Sequence, residues 1–283
     1  MKKINFRLLL LVSFVCIALL FSTAIIIQSR PRLEAPAIVT TTTATRTTTA
    51  TRKYVPPTTT SDGRDSTFFM SSKNRGVCKA FKGKVLLNFF MVSDGDCIWT
   101  EDAIAEFKKT TEDAIYFLNY DSDRFGVELE ILCNYTFVSH PETLVREDHR
   151  TVIPEILDSL GYSDKYKVSS DLTEKFGTDS AALLFCFNRQ ERSLSTPTTL
   201  ENGFEYAILY GANEDFRHEL LHLYGAKDLY TPERIDKIAA RYFSDSVMRV
   251  SGGFVLDPLN AFLIGWTDTL SEPAKEFLED VDR

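Results

Sequence analysis

The chain has 283 residues, 44% of them hydrophobic, and a formal net charge of −8. That is enough apolar material for a domain with a substantial core. The acidic balance argues against nucleic acid as a partner, because phosphates require a basic patch.

The first element is an uncharged apolar run from Leu8 to Ile27, preceded by Lys2, Lys3 and Arg7. It is about long enough to cross a bilayer as a helix. Gln28-Ser29-Arg30 follows with no small-residue cleavage pattern, so the expectation is an uncleaved signal anchor at the cell membrane, with the remainder of the chain extracellular. Cleavage of this segment would instead give a secreted protein. From about Leu33 to Asp65 threonine dominates, a composition that cannot bury a core and behaves as a disordered stalk. The expected division is therefore 1–32 tail and anchor, 33–65 stalk, and 66–283 a single folded domain.

Within that domain, Val85 to Val92 is a nearly continuous apolar run, which predicts a strand covered on both faces. Thr100 to Tyr120 carries a cap residue and an apolar face at Ile104, Phe107, Ala114, Phe117 and Leu118, which predicts a helix. Val127–Leu132 and Ala181–Phe187 follow as strands, with a short helix around Ile153–Leu160 between them. Cys78, Cys97, Cys133 and Cys186 make an even number in an exported domain. The expected disulfides are Cys78 with Cys97 and Cys133 with Cys186, although free buried thiols are equally ordinary in apolar strands. Asn134-Tyr135-Thr136 has the form of a glycosylation sequon.

Phe204 to Tyr210 reads as a strand leading to Gly211, after which Asn213, Glu214 and Asp215 supply a cap and acidic first turn for the next helix. Phe216, Leu220 and Leu223 form its buried stripe. On the same helix His218 and His222 stand at i and i+4, one above the other, so two imidazoles can meet a single cation. Glu219 lies beside such a cation, where a general base takes a proton from water. Gly225 can end the helix in a left-handed conformation, and Asp228 arrives six residues after His222 as a candidate third ligand. Asp228 can equally cap the helix-like stretch that starts at Thr231-Pro232-Glu233. Glu272, Glu276 and Asp236 are alternative ligands.

The run His218–Asp228, HExxHxxGxxD, resembles the metzincin clan of zinc endopeptidases, whose usual signature is HExxHxxGxxH with a later methionine turn. Asp228 departs from it, as in the snapalysin-like branch, and Asp228-Leu229-Tyr230 is similar to immune-inhibitor-type bacterial metallopeptidases. Met248, in Ser246–Val250, lies where the Met-turn falls. The resemblance implies an α+β zincin catalytic domain: a mixed twisted sheet, active-site helix, Met-turn and C-terminal helix, the last expected from Asp257-Pro258. It also implies Zn2+ on His218, His222 and Asp228, with Glu219 as base and Tyr230 or Tyr242 helping an oxyanion.

The expected function is thus a membrane-anchored extracellular zinc endopeptidase acting on polypeptides. A catalytically inactive surface binding or adhesion module is the alternative, and Glu219 is the residue such a module has no need of. A peptidase of cell-wall crosslinks would carry a wall-binding module, for which the sequence has no candidate.

Overall fold

The computed structural model describes residues 64–211, 215–250 and 252–283. Five strands form one sheet in the order β2-β1-β3-β5-β4. They are β1 (Gly83–Ser93), β2 (Leu129–Ser139), β3 (Ser180–Phe187), β4 (Leu194–Thr196) and β5 (Tyr206–Tyr210). All neighbours pair parallel except β4, which runs antiparallel to β5 at one edge. Eight helices are present among the described residues: α1 (Ser66–Met70), α2 (Glu101–Phe125), α3 (His149–Ser159), α4 (Val168–Phe176), α5 (Phe216–Leu223), α6 (Glu233–Tyr242), α7 (Pro258–Leu263) and α8 (Glu272–Asp282).

The period-2 alternation of β1 divides the interior into two cores. Val85, Leu87, Phe89 and Met91 face one side, packed with residues of α1, α2 and α5 to α8. Leu86, Phe90 and Val92 face the other, packed with α3 and α4. Because neighbouring side chains on a strand point to opposite faces, an apolar residue at each of these positions requires helices on both sides. The expected mixed sheet is present, but helices cover both of its faces. The architecture is therefore mixed α/β rather than the segregated α+β arrangement.

Several boundaries move. Thr100 caps α2 as expected, its side chain accepting from the Ala103 N–H, and the helix continues to Phe125, where Gly126 ends it at φ +67°. β2 runs to Ser139 because all eleven of its residues find partners along β1. Asn134 of the sequon lies inside this strand and donates Nδ2 to Asn88 Oδ1 at 2.7 Å, which commits its amide to the sheet. α7 starts as expected, with Asp257 accepting from the Asn260 N–H. It is not the last helix, since α8 follows with Ser271 as its cap.

The expected disulfides are corrected, for all four cysteines are free. β1 lies between β2 and β3, and Cys133 pairs with Leu87 while Cys186 pairs with Met91, so the two are separated by two strand spacings and four rows. Cys78 sits against Ala181, level with Leu86, whereas Cys97 lies beyond Ser93, about 20 Å further along the strand. Neither pair meets the Cα separation that a bridge requires, less than about 7 Å.

The membrane expectation is corrected too. Among the described residues no helix is long and apolar enough to cross a membrane. The longest, α2, has 25 residues but carries charged side chains throughout, among them Glu106, Lys108, Lys109, Glu112 and Asp113. The segment on which the expectation rested, Leu8 to Ile27, lies outside the described residues, as does the stalk up to residue 63. The transmembrane helix and cell-membrane location expected from the sequence are withdrawn.

Candidate metal centre

α5 begins at Phe216, with Asp215 at its N-cap making no side-chain capping bond. The expected cap, Asn213, and Glu214 lie outside the described residues. Phe216, Leu220, Leu221 and Leu223 bury one side of the helix in the core shared with Phe89 and Leu184, which turns His218 and His222 towards a partly open face.

The helix ends in a Schellman turn. The Ala226 N–H donates to Leu221 O at 3.1 Å and the Gly225 N–H to His222 O at 3.0 Å, the paired bonds that satisfy the last helical carbonyls. Gly225 adopts φ +103°, and a Cβ there would meet Ser72 O at 2.9 Å. Only glycine fits both restrictions. By reversing the chain here, the turn brings the Ala226 carbonyl to 2.9 Å from His222 Nδ1.

The second imidazole is held in the same way, with His218 Nδ1 3.0 Å from Val247 O. A carbonyl only accepts, so both Nδ1 atoms carry protons and both neutral rings present an Nε2 lone pair to the site. These Nε2 atoms lie 3.0 Å apart. Asp228 Oδ1 completes the group, 3.2 Å from His218 Nε2 and 3.1 Å from His222 Nε2. It is buried and makes no hydrogen bond of acceptable geometry.

Three electron-rich atoms thus form a nearly equilateral triangle with no donor among them. A tetrahedral ion with ligand bonds of about 2.0 Å separates its ligand atoms by about 3.3 Å, so the observed triangle has the size of one face of that polyhedron. Among the described residues His218, His222 and Asp228 form the group able to hold a metal. The orphaned Oδ1 and the opposed lone pairs fit a cation, and the donor set suits zinc.

The electrostatics agree. Burial lowers the His218 pKa, but Asp228, the Val247 carbonyl and Glu219 outweigh it and raise the value above 6.5. Burial raises the Asp228 carboxyl, but the two imidazoles outweigh it and hold the group well below the usual carboxylate range.

A polar clamp from α7 fixes the position of Asp228. Asn260 Oδ1 accepts from the Lys227 N–H at 2.7 Å, and Asn260 Nδ2 donates to Lys227 O at 3.2 Å, which grips the residue before Asp228 on both sides. Asn260 is bound in turn to Asp257, whose Oδ2 also accepts from Ser246 Oγ at 2.6 Å. Ser246 Oγ then accepts from the Met248 N–H at 3.0 Å. Met248 O receives the Leu229 N–H at 2.8 Å, which closes the circuit beside Asp228. Met248 itself is fully buried in the core that contains Leu220 and Leu229. The turn around it acts on the site through its main chain, by way of Val247 O and Met248 O.

The alternative ligands are engaged elsewhere or stand apart. Asp236 pairs with Arg249 at 3.0 Å, Glu272 pairs with Lys275, and Glu276 is not part of the group. Tyr242 donates to Asp280, whereas Tyr230 places its ring 5.9 Å from that of His218. Glu219 is buried and lines, with His218 and Tyr230, a cleft of about 380 Å3. A larger hollow of about 640 Å3 near Lys79 and Trp266 contains none of these groups, and the chemistry places the site in the smaller cleft.

No protein-family model matches the sequence, and no curated protein matches it. Among solved structures, metalloproteinase-II from Bacteroides fragilis is similar at 13% identity and a TM-score of 0.32, covering 77% of this chain and 62% of that one. The chain thus spans less than two thirds of that protein's length. A likeness of this size carries no argument about fold or activity.

Two outcomes follow for metal binding. Asn260→Ala leaves all three candidate ligands in place but frees the Lys227 main chain, so metal affinity should weaken about tenfold or more in a competition titration. Unchanged affinity would contradict the clamp. Because protons compete with the metal for the imidazoles, affinity should also fall as pH drops, beginning above pH 6.5, the ordinary imidazole value. In the metal-free chain the raised His218 contributes stability that is complete below about pH 6.5 and lost as pH rises through its folded value. Depressed Asp228 contributes above about pH 4 and loses its contribution as pH falls further, so both act together between those limits. Metal titrations from pH 5.5 to 8 check the first statement, and a flat profile would contradict it.

Proposed function

We propose that this chain is a zinc endopeptidase that hydrolyses peptide bonds with water as the nucleophile. The observation that carries the proposal is the triangle of His218 Nε2, His222 Nε2 and Asp228 Oδ1, with Glu219 on the same helix and facing the adjoining cleft. A zinc ion held there by His218, His222 and Asp228 would supply Lewis acidity, making water more acidic and a substrate carbonyl more electrophilic.

The protein's own groups do the remaining work. Glu219 accepts the proton of the attacking water and returns it to the leaving amine, which permits the C–N bond to break without expelling an unprotonated nitrogen. His218 and His222 keep their Nδ1 protons on Val247 O and Ala226 O, so each ring is held in one tautomer and orientation. Tyr230, beside His218 in the cleft, would turn its hydroxyl from Asp228 to the developing oxyanion. β4 is the edge strand of the sheet and packs against α5, so its outer main-chain groups suit an extended polypeptide lying next to the site.

The decisive comparison is Glu219→Gln against the native chain, on a mixed peptide library with metal content measured in parallel. The variant should retain its metal and lose cleavage by about 100-fold or more. Equal cleavage by both proteins would end the assignment of Glu219, and metal binding without any cleavage by the native chain would favour a binding module instead.

A further inference from the structure

The cleft beside His218 and Glu219 contains two arginines whose circumstances differ. Arg249 is neutralised, since its guanidinium pairs with Asp236 at 3.0 Å and donates to Ser244 O at 3.0 Å. Arg192 instead donates Nη2 to Tyr230 Oη at 3.0 Å and takes part in no ion pair among the described residues. The hydroxyl restrains one edge of the guanidinium, and no carboxylate among the described residues pairs with it, although Asp215 and Glu219 line the same cleft.

Arg192 also stands two residues before β4, the edge strand along which an extended chain would lie. One hydrogen bond from Tyr230 and next to the edge strand, it stands where a substrate side chain or terminus flanking the cleaved bond would lie. The remaining donors of a planar guanidinium match the two oxygens of a carboxylate.

We propose that Arg192 forms a carboxylate-binding subsite and makes the enzyme prefer peptides with a carboxylate close to the cleaved bond. The proposal rests on the peptidase reading above. The net charge of −8 disfavours acidic substrates at long range, but that field decays over about 8 Å at physiological salt, whereas Arg192 would act in contact. The carboxylate can come from a Glu or Asp side chain or from the peptide's C-terminus, and the same contact serves either source.

The test uses the metal-loaded full chain and quenched peptides in matched pairs. One set replaces Glu by Gln at each of the two positions on either side of the cleaved bond, and another compares a free C-terminal acid with its amide. The native enzyme should show a kcat/KM about 3- to 10-fold higher for the acid member of at least one pair, the size expected of a partly exposed charge contact. R192Q should bring that pair to the same kcat/KM. R75Q, which alters an arginine in the separate cleft beside His222, should preserve the ratio. A ratio confined to the C-terminal pair would support the subsite and identify its ligand as a chain end.

Three results would overturn the proposal: no native preference above twofold, a preference that survives R192Q, or an equal loss for both members of each pair. The last would assign Arg192 to holding Tyr230 alone. Failure of the native chain to cleave any peptide would instead remove the peptidase reading, and this subsite with it.

Discussion

Two imidazole nitrogens and a carboxylate oxygen converge within 3.2 Å of one another while both histidines spend their ring protons elsewhere. Such an arrangement is repulsive unless a positive charge lies among the three atoms. A cation held by His218, His222 and Asp228 would supply it. The placement of α5, the turn at Gly225 and the clamp from α7 all serve to hold these atoms together against that repulsion.

The scaffold performs this by dividing the ligands between two supports. α5 carries both histidines and is anchored by Phe216, Leu220 and Leu223 in the core below β1 and β3. Asp228 lies on irregular chain, which cannot be rigid on its own. Asn260, Asp257 and Ser246 provide the missing rigidity, with the two latter side chains and Asn260 almost wholly buried. Asp257 is shielded enough that burial raises its pKa, although Ser246 and Asn260 both oppose the shift. A group of this kind is retained because it orients its neighbours; its charge is costly in that place.

What could be read in the sequence was what depends on local periodicity. The unbroken apolar run of β1, the cap and stripe of α2, and the i, i+4 histidines each report a single element and its faces. The glycine three residues past His222 reported a turn, and its positive φ is found where that reading put it. Contacts between distant segments left no such trace. Asn260 and Lys227 are 33 residues apart, and nothing in either residue type announces that one clamps the other. The disulfide expectation failed for the same reason, because proximity of Cys133 and Cys186 depended on a strand order that places β1 between them. α8 was within reach: Ser271, Pro273 and the apolar spacing of Ala274, Phe277, Leu278 and Val281 are a helix signal that ending the fold at α7 overlooked. α4 gave less warning, with Ser169, Ser170 and Thr173 weakening its helical character.

The central claim is that one metal ion is held by His218, His222 and Asp228 together. X-ray absorption on the zinc-loaded chain measures this most directly. The account predicts two imidazole nitrogens and at least one oxygen at about 2.0 to 2.1 Å, no sulfur, and loss of one oxygen scatterer or of the metal itself in Asp228→Ala. A spectrum with sulfur in the first shell, or one unchanged by Asp228→Ala, would contradict it.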